Sequence, residues 1–253
     1  MWPIYIPSKG RAEKCSTAVI LANEGIPFKL VVEKDDAPQY QERFGASWVI
    51  VLPKSSQGIG YAREFINTYS RQKKEPFHWQ LDDDIRSFEV RTGKRNVKTA
   101  AASVLAEAEK RIEGFENIGL VGLRHSVFAW STKKQISFNI PCCSCFLVNN
   151  KTPARFNTAI IEDIDFTMQV LFAGFCTLVF NRLLFTPKPV GKTEGGNQAS
   201  GHYSKYTELA RNTQRAWPNM FKMTQKKGET RLVSLGVSGL FPQRPQRRAP
   251  GEP

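Results

Sequence analysis

Long hydrophobic runs are missing: no uninterrupted apolar stretch comes near the roughly 20 residues that a membrane-spanning helix requires. The opening segment, MWPIYIPSKGRAEK, likewise lacks the ordered charged, apolar and cleavage regions of a secretory signal. Cysteine is scarce and irregular. Cys15, Cys142, Cys143, Cys145 and Cys176 form an odd, clustered set without the spacing of a disulfide framework, which fits a reducing compartment. Cys142-Cys143-x-Cys145 has no second ligand pair at zinc spacing and reads as a packed strand. These absences exclude a secreted disulfide scaffold and a zinc-finger module. The expectation is a soluble cytoplasmic protein with no membrane partner.

Acidic residues are also outnumbered. Asp and Glu total 23 against 36 Lys and Arg, leaving +13 in 253 residues. Such an excess concentrates anionic partners and speeds their encounter. Residues 221–253 hold seven basic side chains against Glu229 and Glu252, the mark of either a solvated tail or a polyanion contact. Lys94, Arg95 and Lys98, with Arg244, Arg247 and Arg248, are the candidate nucleic-acid contacts. The last ten residues, RPQRRAPGEP, are too poor in apolar side chains to pack and are expected to be disordered.

What the chain does have is alternation. Residues 2–7, 29–33, 48–52 and 77–81 are short, aromatic or β-branched runs bounded by turn residues, and they read as strands. Residues 10–24 and 60–71 between them carry helical spacing. Strand and helix in turn predict a mostly parallel sheet flanked by helices, an α/β architecture. Further on, the spacing predicts a helix over 97–113, a strand over 118–123, paired strands within 135–148, a helix over 162–173 and a strand over 176–180. The stretch PKPVGKTEGGNQASGHY reads as a mobile loop before a polar helix near 204–216. One α/β domain over residues 1–216, with a flexible basic C-terminal extension over 217–253, is the economical organisation.

The sharpest chemical signal is FHWQLDDDI, a strand ending in Asp82, Asp83 and Asp84. In open α/β sheets, ligands bind beyond the carboxyl ends of strands. Three adjacent carboxylates repel one another unless a cation relieves them, and hard oxygen ligands suit Mg²⁺ or Mn²⁺. On an extended backbone Asp82 and Asp84 share a side and Asp83 faces away. The bland alternative is an acidic turn or helix cap. A second signal, IEDIDFTMQ, places Glu162 and Asp163 at a helix start, where they either cap the helix or serve as a general base, Asp163 first. Asp165 is read as a cap or an orienting group. Gly58 and Gly60 in SSQGIGYAR open a helix where backbone amides can approach phosphate, with Arg63 adding charge. Pro7, Ser8 and Arg11 in PSKGR stand at the end of the first strand, in reach of a nucleobase, ribose or phosphate. His78 reads as structural, whereas His202 in the late loop is a possible metal ligand beneath a closing lid.

Together these motifs, in this order, resemble the GT-A glycosyltransferases over most of the first 205 residues. Within them PSKGRA, VLPKSSQGIGYAREF, WQLDDDI and EDIDFTMQVL are similar to the TET-associated glycosyltransferases, a group encoded largely by bacteriophages. The resemblance implies a GT-A-like fold and a nucleotide-sugar donor, a UDP-sugar first among them. It implies Mn²⁺ or Mg²⁺ on Asp82 and Asp84 with His202 as a late ligand, and Asp163 as the acceptor-activating base. It further implies DNA carrying 5-hydroxymethylcytosine or a similar base as acceptor, in the host cytoplasm if the chain is phage-encoded. Asp35 and Asp36 are the acidic residues nearest to a nucleobase role. The rival readings are a polysaccharide, lipid or protein acceptor, a metal-dependent nucleotidyltransferase or nuclease, and a silent DNA-binding module. Fold by itself separates none of them.

Overall fold

The computed structural model describes residues 1–188, 202–226, 229–241 and 243–247. The first part of the chain repeats strand and helix: β1 (Ile4–Ser8), α1 (Ser16–Asn23), β2 (Lys29–Val32), α2 (Ala37–Phe44), β3 (Val49–Val51), α3 (Ile59–Gln72) and β4 (Phe77–Leu81). Such connections align β3, β2, β1 and β4 as parallel neighbours. The chain continues through β5 (Ile85–Thr92), β6 (Arg95–Thr99), α4 (Ala101–Ile112), β7 (Ile118–His125), β8 (Ile136–Phe138), β9 (Cys145–Asn149), α5 (Glu162–Phe172) and β10 (Cys176–Pro187). Then come α6 (His202–Ala216), the hairpin β11 (Phe221–Lys226) and β12 (Glu229–Ser234), and the short α7 (Val237–Leu240).

One ten-stranded sheet in the order β3-β2-β1-β4-β9-β7-β10-β5-β6, with β8 also on β10, organises the domain. Only β5, β8 and β9 run against the rest, so the sheet is mostly parallel in direction. Strand alternation divides its two faces. Ile4, Ile6, Leu30, Val32, Trp79, Leu81 and Leu147 join α1, α2 and α4 in the larger core. Tyr5 and Val31 meet α3 on the other face, and Phe146, Val148 and Val179 meet α5 there. The α4 face is set by Ala101, Val104, Leu105, Ala108 and Ile112, an apolar stripe at helical spacing. Among the described residues no helix is long and apolar enough to cross a membrane.

The structure departs from the sequence expectation in three places. Residues 97–99 belong to β6, where Val97 pairs with Val90, and the helix starts only at Ala101. Residues 135–148 do not form a strand pair: β8 joins β10, and β9 lies between β4 and β7. The C-terminal segment packs as far as it is described. Phe221 and Phe241 are buried against Met168 and Leu171. Residues 244–247, expected to be disordered, are seated: Glu116 N donates to Gln246 O at 3.0 Å, and Asn117 Nδ2 to Arg244 O at 2.9 Å. Backbone hydrogen bonds and two buried phenylalanines hold what charge composition alone would leave loose. The anticipated loop over 189–201 lies outside the described residues.

Candidate active site

The carboxyl ends of β1, β2 and β4 open onto a cavity of about 410 Å³, where a doubly wound sheet places its ligand. The start of α3 and the start of α5 form its walls, with Pro187, Lys188 and Tyr206 on a third side.

The acidic turn is the floor, and each of its three carboxylates has a different setting. Strand β4 stops at Leu81, and residues 83 and 84 form a turn, so partners rather than strand alternation direct the side chains. Asp82 Oδ1 accepts from Arg63 Nη2 at 2.7 Å. Asp83 turns inward, 5% exposed, and accepts from Ser8 Oγ at 2.5 Å and Arg11 Nη1 at 2.7 Å. Burial still pushes its carboxyl above the ordinary range, against the pull of Arg11 and Ser8. Asp84 has no such close partner; its nearest cation, Arg11 Nη1, is 3.7 Å away. Burial, then repulsion from Asp82 and Asp83, raises its pKa to about 7. The turn is clamped from α1. Thr17 Oγ1 donates to Asp82 O at 2.6 Å and accepts from Ile85 N at 2.9 Å, and Asp82 N donates to Ser144 O at 2.7 Å. Ser144 adopts a left-handed φ of 63° on the cavity wall, a conformation uncommon outside glycine.

Arg63 joins the two acidic motifs. It is 3% exposed, with Nη2 on Asp82, Nε 3.6 Å from Glu162 Oε1, and its guanidinium 4.9 Å from the centre of the Phe146 ring. It is therefore a buried bridge between the two motifs. Glu162 and Asp163 form the first turn of α5 and line the cavity opposite the acidic turn. Burial and the neighbouring Asp163 raise the Glu162 pKa, with Arg63 opposing. Asp163 Oδ1 accepts from Ile164 N at 2.8 Å. Asp165 points elsewhere, accepting from Trp217 Nε1 at 2.9 Å and Gln169 Nε2 at 2.8 Å, and so anchors the end of α6.

Of the expected donor contacts, Pro7, Ser8, Arg11, Gly58, Arg63, Asp82 and Asp83 line the cavity. Gly60 lines a smaller neighbouring one of about 250 Å³. Its lack of a side chain serves packing, since a Cβ there would lie 2.9 Å from Asn157 O. Glu33, His125, Ser144, Lys188 and Tyr206 also line the main cavity and had no role in the sequence reading. Glu33, just beyond β2, lines the cavity with Pro7, Val31 and Leu52, and its carboxylate is held by Lys9 Nζ at 2.8 Å and Ser56 N at 2.8 Å. A carboxylate immediately after the second strand was the available signal. Asp36 instead braces the first loop, accepting from Gly10 N at 2.8 Å.

The expected nucleic-acid contacts do not gather here. Lys94 and Arg95 follow β5, whose far end lies roughly 24 Å along the strand from Ile85 at about 3.4 Å per residue. Lys98 stands opposite Glu89 on the same hairpin. Arg244 and Arg247 stack on Phe138 and Phe115, at 5.6 and 5.1 Å to the ring centres, and Phe115 precedes the start of β7, at the opposite end of the strands from the cavity. Arg248 and the side chain of His202 lie outside the described residues.

Among the described residues no group of three or more His, Cys, Asp and Glu side chains forms a complete metal cage. The site nevertheless suits a divalent cation. Asp82 and Asp84 offer hard oxygens on one cavity floor. One or two carboxylates with phosphate oxygens is the usual Mg²⁺ arrangement.

The sequence model of the family described as TET-Associated Glycosyltransferase matches residues 2–196. No curated protein sequence matches. Among solved structures, GalNAc-T7 with UDP, GalNAc and Mn²⁺ is similar at a TM-score of 0.48 and 10% identity, over 85% of this chain and 51% of that one. A nucleotide-diphospho-sugar transferase from Desulfovibrio desulfuricans G20 is similar at a TM-score of 0.42 and 6% identity, over 83% and 97%. The chain thus spans about half the length of the first of these structures.

Proposed function

Because the chain belongs to the TET-associated glycosyltransferase family, we propose that it moves a sugar from a nucleotide-sugar donor to the hydroxymethyl group of a modified pyrimidine in DNA. The acceptor is 5-hydroxymethylcytosine or a close relative, and the donor a UDP-sugar. The observation that carries this reading is the pairing of two acidic groups across one cavity. Asp82 and Asp84 stand on its floor, and Glu162 and Asp163 face them at a helix start.

Each group has a task in such a transfer. Pro7, Val31 and Leu52 suit a nucleobase, the apolar residues covering its faces, with the Lys9–Glu33 ion pair as the polar edge beside them. Ser8 and Arg11 hold Asp83, which keeps the acidic turn in place behind the donor. Asp82 and Asp84, with Mn²⁺ or Mg²⁺, hold the diphosphate, and the cation neutralises charge on the leaving group when bound. Asp163 takes the proton from the acceptor hydroxyl as its oxygen attacks the anomeric carbon. Glu162, tied to Arg63, links that base region to the Asp82 side. Residues 1–216 form the transferase unit in this reading. The net charge of +13 supports a polyanionic acceptor over a neutral polysaccharide.

The test is mass spectrometry of nucleosides after incubation with Mn²⁺, a panel of nucleotide sugars, and DNA carrying 5-hydroxymethylcytosine or 5-hydroxymethyluracil. A hexose- or pentose-sized gain on one modified nucleoside is expected. Metal-dependent donor hydrolysis without any gain on DNA would retain the transferase and discard the DNA acceptor.

A further inference from the structure

Next to the cavity, between β7 and β8, the chain holds three apolar side chains toward water: Val127, Phe128 and Trp130 are 54%, 52% and 75% exposed. The backbone beneath them is pinned. Val127 N donates to His125 Nδ1 at 3.2 Å, and Phe128 O accepts from Ser131 N at 3.0 Å and Ser131 Oγ at 2.7 Å. Ala129 is buried, and the Ser126 and Thr186 hydroxyls, 2.6 Å apart, tie the turn to the end of β10. A fixed turn that presents aromatic rings outward marks an interaction surface more often than a stray exposed residue does.

The surface is continuous with the cavity. His125 lines the cavity, and its ring centre is 5.5 Å from that of Phe128. It is also cationic. The Arg124 guanidinium lies 5.9 Å from the Phe128 ring centre and donates to Ser131 Oγ at 3.0 Å. Lys133 and Lys134 follow, both exposed. The sequence contains no Asp or Glu between Glu116 and Glu162. Exposed rings beside lysines, in a stretch of sequence without carboxylates, fit stacked bases flanked by phosphates. A neutral oligosaccharide would use the rings and leave the charge pattern without a role.

We propose that this turn is the acceptor platform, on which Trp130 and Phe128 stack against a base of the DNA strand while Lys133 and Lys134 meet its phosphates. The inference rests on the DNA reading given above. It gives the acceptor an approach from the His125 side, beside Asp163, and supplies stacking to a strand whose target base has left its own stack.

Fluorescence anisotropy of a labelled single-stranded oligonucleotide containing 5-hydroxymethylcytosine tests it on the full chain, with circular dichroism checking that each variant is folded. Trp130→Ala is expected to weaken binding roughly ten-fold, and Trp130→Phe to recover most of that loss. Lys133→Glu combined with Lys134→Glu is expected to flatten the slope of log affinity against log salt by roughly 1.4. Wild-type binding that Trp130→Ala leaves within about two-fold would overturn the platform while the DNA reading stood. A wild-type chain that ignores the oligonucleotide but binds a neutral oligosaccharide through Trp130 would overturn the nucleic-acid occupant and the DNA reading together.

Discussion

Arg63 Nη2 lies 2.7 Å from Asp82 Oδ1, and the same guanidinium reaches Glu162 Oε1 at 3.6 Å. One buried cation from α3 thereby sets the distance between the acidic turn after β4 and the start of α5. Removing it would leave Glu162 buried beside Asp163 with its opposing charge gone. Breaking a buried pair from one side costs about 3 kcal/mol or more. Arg63→Ala is therefore expected to lower Tm by roughly 6–12 °C and to abolish donor turnover. Arg63→Lys, which keeps the charge without the fork, should recover stability better than activity. Differential scanning calorimetry beside a donor-hydrolysis assay checks both. Equal recovery of the two would remove the bridging role.

Asp84 offers a sharper test through pH. Its folded pKa is raised to about 7, whereas an unfolded chain returns it to the ordinary range near 3.8. The folded state thus holds its proton more tightly, and the stability linked to it is present below about pH 4 and lost as pH rises through 7. In metal-free protein, Asp84→Asn should raise Tm over wild type by roughly 2–4 °C at pH 8, and the gain should shrink as pH falls below about 7 and vanish only near pH 4. The same variant should lose metal-dependent donor binding. A gain independent of pH would show that Asp84 is not the titrating group.

Asp83 and Asp163 separate structure from chemistry. Asp83 is enclosed by Ser8 and Arg11, so Asp83→Ala removes two hydrogen bonds from a buried site and should cost about 1–3 kcal/mol of stability. Asp163 lines the cavity at the first turn of α5. Asp163→Asn should keep the fold, Mn²⁺ and donor binding, and reduce transfer by roughly 10²- to 10⁴-fold. Calorimetric titration with the nucleoside diphosphate, followed by nucleoside mass spectrometry, distinguishes the two. Loss of donor binding in Asp163→Asn would place that carboxylate on the donor side.

The parts legible in the sequence are those whose signal is local. A five-residue strand running into three carboxylates, and a helix opening on Glu-Asp, each announce themselves within a few positions. Their partners come from far along the chain: Ser8 meets Asp83 across 75 positions, and Asp163 shares a cavity with Lys9 and Lys188. No period or spacing encodes such meetings. The β5–β6 hairpin was hidden for another reason. Its exposed, charged residues, such as Arg86, Arg95 and Lys98, carry no strand alternation, and the helical spacing expected from residue 97 took in residues 97–99 until backbone pairing revealed β6. Glu33 drew no notice because it fell inside the strand expected over 29–33; its place on the cavity lining, paired with Lys9, gives it weight.

The C-terminal arginines make the last prediction. Arg244 and Arg247 had been expected to grip DNA, yet they stack on Phe138 and Phe115 beside the start of β7, at the end of the sheet away from the cavity. The same segment satisfies backbone and side-chain groups of Glu116, Asn117 and Asn139. Deleting residues 243–253 exposes those groups and the Phe138 ring. It should lower Tm by roughly 4–8 °C, equivalent to about 2 kcal/mol in a domain of this size. The salt dependence of oligonucleotide binding should change little, because the proposed acceptor platform lies at the opposite end of the strands. A deletion that leaves Tm unchanged and flattens the salt slope would reverse that assignment and return the tail to the nucleic-acid surface.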